Sequence, residues 1–275
     1  MKENKNLEGI LKYYYSGGFD NDSPLSSIGG EISNTIVAIN KESIFNNVNE
    51  NIYREGSIDY RCIYFKNVSN KRVHKLTLSL DDVFKGAIFN LGFDLKNEIQ
   101  VITISGGDFT NNQYIIFSYK ERNFKVKYNT NINIFSSNFE TEIRKIYTLN
   151  QVTVDGKYSN GTSLLNVNFN GFSGYKQHPL IKVQSYSLTP NPTFYIYKKQ
   201  NGSPINCIQN KINNINQEPA NVQFLDMTSN IEFGFLEVDD FLPIWLRRRV
   251  FSGNIPIEDD GCSIISKALI EFKKS

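Results

Sequence analysis

The chain carries two histidines, His74 and His178, and three cysteines, Cys62, Cys207 and Cys262. A metal centre or a nucleophile–base–acid constellation needs such groups beside carboxylates at motif spacing. Neither histidine has that company in the sequence. His74 falls in an alternating stretch, on the side away from Leu76 and Leu78, which predicts exposure, and His178 precedes Pro179 in a loop. The cysteines are far apart, odd in number and without a Cys-x-x-Cys pair, so they read as reduced structural thiols. A Cys62–Cys262 bridge is the alternative, should their strands be neighbours. No metal ion and no cofactor is expected.

Asp239-Asp240 and Glu258-Asp259-Asp260 are paired acids, the residue type that hydrolyses glycosides or holds calcium. Both groups border turns, where Asp serves local hydrogen bonding, and no EF-hand spacing surrounds them, so solvated turn carboxylates are the preferred reading. Gly106-Gly107-Asp108 follows a strand pattern, but no phosphate-loop spelling and no helix start accompany it, and it reads as a turn. Arg247-Arg248-Arg249 is the densest basic run. It lies beside Trp245 in a strand-like segment, where pairing with acids or lining a protein interface is favoured over touching phosphate. The Tyr13-Tyr14-Tyr15 cluster fits sugar stacking, although packing is the commoner fate of such rings.

Composition limits what can position these groups. Thirty basic residues against 28 acidic ones leave a net charge of +2 over 275 residues, too balanced to drive binding to nucleic acid or an anionic membrane. Phe and Tyr are abundant (20 and 15) and Ala occurs only four times, which favours strands over a helical bundle. No apolar run is long enough for a membrane span, and no secretory leader is visible at the start. The stretch Asp59–Lys66 is apolar on both faces and predicts a central strand, whereas Val73–Leu80 alternates, with Leu76, Leu78 and Leu80 inward. Leu11–Tyr15 reads as an edge strand ended by Gly17-Gly18. Gln113–Tyr119 and Asn123–Tyr128 read as a hairpin across Lys120-Glu121-Arg122. Ser137-Asn138-Phe139-Glu140 spells a capping box, so a helix is expected over about 137–147, and it is the only convincing one.

The resulting expectation is a predominantly all-β chain. A β-domain split between residues 8–95 and 218–273 would be interrupted by an inserted β-rich, one-helix domain over 96–190. A return linker over 191–217, rich in Pro and Asn and holding one strand, Thr193–Tyr197, would lead back.

Two flanking regions resemble a family of tailed-bacteriophage virion proteins. The first comprises Leu11–Gly18, Ser26–Ser33 and Tyr60–Asn67, similar to the family's "YYxSGG … LGGxIS … YRCxYxKN" strings. The second comprises Ile244–Val250 and Asp259-Asp260-Gly261, similar to its "VWxRRxV … NDG" segment. The strand–hairpin–helix–strand–strand order of the middle resembles small domains inserted in phage tail and neck proteins. The resemblance implies that the split domain is an Ig-like β-sandwich, and it marks Tyr60, Arg61, Trp245, Arg247 and Arg249 as the candidates for structural or interface weight. It implies a non-enzymatic structural component of the virion, made in the host cytoplasm, in the tail, baseplate or neck. A capsid decoration protein and a carbohydrate-binding receptor module are the alternatives. Its partners would be other virion proteins, in a homo-oligomeric or ring-symmetric assembly, without nucleic acid or membrane.

Overall fold

A computed structural model describes residues 9–37, 44–80, 86–106, 109–111, 113–146, 149, 151–171, 174–225, 230–253 and 263–270. Gly107, Asp108, Glu258–Gly261 and Cys262, singled out above, lie outside the described residues. Along the chain run β1 (Leu11–Ser16), β2 (Ile32–Ile36), α1 (Glu50–Glu55), β3 (Ser57–Asn67), β4 (Val73–Leu80) and β5 (Ala87–Phe93). Next come β6 (Ile99–Ser105), β7 (Tyr114–Tyr119), β8 (Arg122–Lys127), α2 (Ile132–Ile143), β9 (Thr153–Ser159), β10 (Thr162–Asn168), β11 (Lys182–Tyr186) and β12 (Thr193–Gln200). The chain closes with β13 (Gln223–Phe224), β14 (Ile231–Glu232), β15 (Phe235–Leu236), β16 (Phe241–Val250) and β17 (Ile264–Ile270). The fold is predominantly β and every described strand pairing is antiparallel. The chain divides into two compact units, one of residues 1–95 and 204–275, the other of 96–203.

In the first unit a six-stranded sheet, ordered β13-β5-β16-β3-β1-β2, faces a smaller one in which β4 is flanked by β17 and by the short β14 and β15. Leu76 and Leu78 are fully buried, and the Phe93 and Phe233 rings meet at 4.9 Å, so the two sheets form a β-sandwich-like layer pair. β3 is central, as its two apolar faces require. β1 is interior and not an edge, because β2 pairs along its outer side. A left-handed Lys75 (φ 49°) places a bulge in β4, so Val73 and Leu76 both turn inward and His74 is half-buried, not exposed.

The 191–217 segment is not a linker. The expected strand is there, as β12 of the second unit, and from residue 204 on the segment belongs to the first unit. Where β1 stops at Ser16, β3 still has edge amides to satisfy, and Cys62 N donates to Ser27 O and Tyr60 N to Ile215 O, each at 2.7 Å. Two irregular segments thus take the place of a missing strand. Gly29 (φ 92°) lies between them, where a Cβ would stand 2.3 Å from Asn210 O, so only glycine fits.

The second unit builds its own core from β12-β6-β10-β9, from β11-β7-β8 and from α2. Phe135, Phe139 and Ile143, four apart on α2, are buried, and Phe139 meets Phe117 at 4.9 Å and Phe124 at 5.4 Å. The cap lies six residues before Ser137-Asn138-Phe139-Glu140: Asn131 accepts Asn133 N, and the helix begins at Ile132. Glu140 instead accepts Val154 N and pairs with Arg144. The β7–β8 hairpin turns on Lys120 and Glu121, both left-handed, as a two-residue loop of this twist demands. The two ends of this unit meet: Lys96 N donates to Ser203 O at 3.2 Å and Ser203 N to Lys96 O at 2.9 Å.

Candidate functional site

The five candidate residues lie on β3 and β16, the longest strand pair, in which Arg61 opposes Leu246, Tyr60 opposes Arg247 and Ile58 opposes Arg249. Opposed residues share a face, so Tyr60, Trp245, Arg247 and Arg249 lie on one side of the sheet and Arg61 on the other.

On the first side, Trp245 is buried among Tyr60, Cys62, Ile28 and Ile212. Its Nε1 donates to Gln209 Oε1 at 3.1 Å, and Gln209 N donates to the Tyr64 hydroxyl, which itself donates to Gly30 O. The indole therefore anchors the irregular segment carrying Gln209 onto the sheet and offers no surface to a partner. Burial raises the Cys62 thiol and the Tyr64 phenol above their ordinary pKa values, which leaves both neutral. Cys62 is a free thiol. Arg247 is half-buried: Nε and Nη2 donate to Asn90 Oδ1, and the guanidinium lies 4.6 Å from the Phe224 ring centre. Arg249 is exposed.

The opposite side holds a group that the sequence reading missed. Arg248 is buried, donating Nη2 to Asp59 Oδ2 at 2.5 Å and Nη1 to Asn46 O at 2.6 Å. Asn216 donates to the other Asp59 oxygen. Arg61, fully buried, donates Nη1 to Tyr60 O, and both guanidinium groups lie over the Phe45 ring, at 5.5 and 4.9 Å. Two buried cations thus lie near one carboxylate, and only Arg248 is ion-paired to it. Among the described residues, no acceptor stands against Arg61 Nε, Arg61 Nη2 or Arg248 Nε. Burial, and then the nearby Arg248 charge, lower the Arg61 pKa against the opposing pull of Asp59.

A second polar cluster lies wholly within 96–203. Glu98 is fully buried, and its carboxylate accepts His178 N at 2.8 Å, Gln100 Nε2 at 2.7 Å and Lys198 Nζ at 3.2 Å. His178 stacks on Phe169 (4.3 Å, 15°), and its Nδ1 meets the Tyr119 hydroxyl at 2.5 Å. Burial, aided by the Glu98 charge, raises the Tyr119 phenol. Gln100 completes the arrangement with Pro179 O and Ile181 N. Both oxygens of Glu98 are occupied by donors of its own chain, so the cluster clamps the 178–181 segment to β6. Eighty residues separate Glu98 from His178, and no motif spacing signals the pair.

Of the paired acids, Asp239 is exposed, left-handed and 3.0 Å from Lys66, whereas Asp240 is buried and accepts Glu237 N and Asn206 Nδ2. Both serve a turn. Among the described residues, no group of three His, Cys, Asp or Glu side chains is placed to hold a metal ion. No protein-family model matches this chain, and neither does any curated protein.

Proposed function

We propose that the chain is a structural component of a tailed-phage particle, in the tail, baseplate or neck, acting through assembly contacts with other virion proteins. The supporting observation is where the resembling strings fall. Leu11–Gly18, Tyr60–Asn67 and Ile244–Val250 come from opposite ends of the sequence, yet they form β1, β3 and β16, which neighbour one another in one sheet. The Ser26–Ser33 string supplies Ile28 to the Trp245 cluster and Ser27 to the β3 edge. These flanking strings therefore fall within one structural unit. In this reading the buried members, Tyr60, Arg61 and Trp245, keep that unit rigid, and exposed groups such as Arg249 meet neighbours. The test is an antibody raised against the chain, applied to purified virions by blot and by immunogold electron microscopy. Gold at one fixed place on the particle is expected. Particles free of both label and blot signal contradict the proposal.

A further inference from the structure

An unpaired sheet edge is a row of backbone donors and acceptors that takes up any strand fitting it, and natural proteins blunt such edges. Most described edges here are blunted. β13, β14 and β15 are two residues long. β2 has five residues and an irregular register against β1. β8 exposes Arg122, Lys125 and Lys127, and β9 carries Asp155-Gly156-Lys157 at its middle. β11 and β17 both break register along their length.

β12 departs from this pattern. It is eight residues long and, among the described residues, pairs on one side only, with β6. Its register shift and its two lysines are confined to the end, 198–200, while Thr193-Phe194-Tyr195-Ile196-Tyr197 has no charge, no proline and no bulge. Phe194 and Ile196 turn into the core. Tyr195 (63% exposed) and Tyr197 (36%) turn outward, with ring centres 5.2 Å apart.

We propose that this edge pairs antiparallel with the same edge of a second copy of the chain, continuing the four-stranded sheet across a two-fold axis into eight strands. The charge pattern selects the direction, and the outward Tyr195 and Tyr197, which match each other across a two-fold axis, select the occupant. Parallel self-pairing would set Lys198-Lys199 against their own images. Antiparallel pairing centred on Ile196 carries the two basic ends apart by about 17 Å of strand. It sets Lys199 beside Thr193 of the second copy, and Tyr195 opposite Tyr197 of the second copy on both sides of the axis. Those aromatic pairs occupy the close cross-strand positions where rings stabilise a sheet. The edge is self-complementary, as a two-fold interface requires. Self-pairing holds independently of the virion reading.

Sedimentation velocity on the full chain, over two decades of concentration, tests the proposal. The 31.5 kDa species is expected to convert reversibly into one of twice that mass. Hydrogen exchange at the β12 backbone amides is expected to slow as the dimer fills. Tyr195→Lys combined with Tyr197→Lys, at outward positions, is expected to weaken the dimer by about tenfold or more through like charges set face to face. Its circular dichroism should remain unchanged. Tyr158→Lys, at an exposed tyrosine on β9, is expected to leave the dimer as it is. A chain that stays monomeric at every concentration overturns the proposal, including one that takes up only a strand of another protein. A dimer whose β12 amides exchange no more slowly than the monomer's also overturns it.

Discussion

The two units bury ionic groups in opposite ways. In the first, two buried guanidinium groups lie near one carboxylate that pairs only with Arg248, and three guanidinium nitrogens face no acceptor among the described residues. In the second, one carboxylate gathers three donors, and the histidine among them is stacked and hydrogen-bonded in turn. A satisfied network holds a loop in one place, whereas a partly satisfied one stabilises only through the members that are paired. Arg248 and Arg61, close together on one face, should therefore respond very differently to substitution.

The largest effect is expected at Arg248. Arg248→Met strands the Asp59 carboxylate in the core and should cost about 3–5 kcal/mol, the range for breaking one side of a buried pair. Urea unfolding of the variant measures this, and a loss below 1 kcal/mol, roughly a surface-pair value, would dissolve the contrast. Glu98→Gln keeps the shape but withdraws the charge from three donors, and about 1–3 kcal/mol should be lost from the second unit. Unfolding followed by hydrogen exchange at β6 locates that loss.

The alkaline limb comes next. Burial pushes the Tyr13 phenol up to about 12 from its ordinary 10.0. Above pH 10 the unfolded chain releases this proton while the folded chain keeps it. The stability that the neutral phenol supplies is thus intact below pH 10 and is lost as pH rises through about 12. Burial shifts Tyr64 and Tyr119 in the same direction. Tyr13→Phe should flatten part of the fall in urea midpoint across that window, and an unchanged slope would show that the folded phenol titrates normally. The smallest effect belongs to Arg61. Arg61→Met removes an incompletely satisfied buried cation and should change stability by about 1 kcal/mol or less, in either direction. A loss as large as that of Arg248→Met would mean that Arg61 is fully paired.

The legible parts of this fold are those fixed by local pattern. Alternation reveals β4, apolarity on both faces marks β3 as central, and Gly17-Gly18 end the ladder of β1. The start of α2 is misread because two cap spellings compete, Asn131 and Ser137-Asn138-Phe139-Glu140, and burial of Phe135 favours the earlier one. Arg248 was legible in principle: it shares parity with Leu242, Ile244 and Leu246, all inward, so a charge in that row needed a buried partner. That the partner is Asp59 depends on register across 189 residues, which no local signal carries. The 204–217 segment reads as a linker because it lacks alternation. Its order comes from Gln209, Ile212 and Ile215 meeting groups on β3 and β16 that lie far off in sequence. Glu98 and His178 are hidden for the same reason.

The chain is made of two units with separate cores, and the second enters and leaves at one point. The Lys96–Ser203 pairing and a core drawn wholly from residues 102–196 make that unit self-contained. The direct measurement is thermal and urea unfolding of residues 96–203 expressed alone. The account predicts native strand content and one cooperative transition, with Phe139 and His178 protected. A fragment that is unstructured, or that unfolds without a cooperative transition, would contradict it.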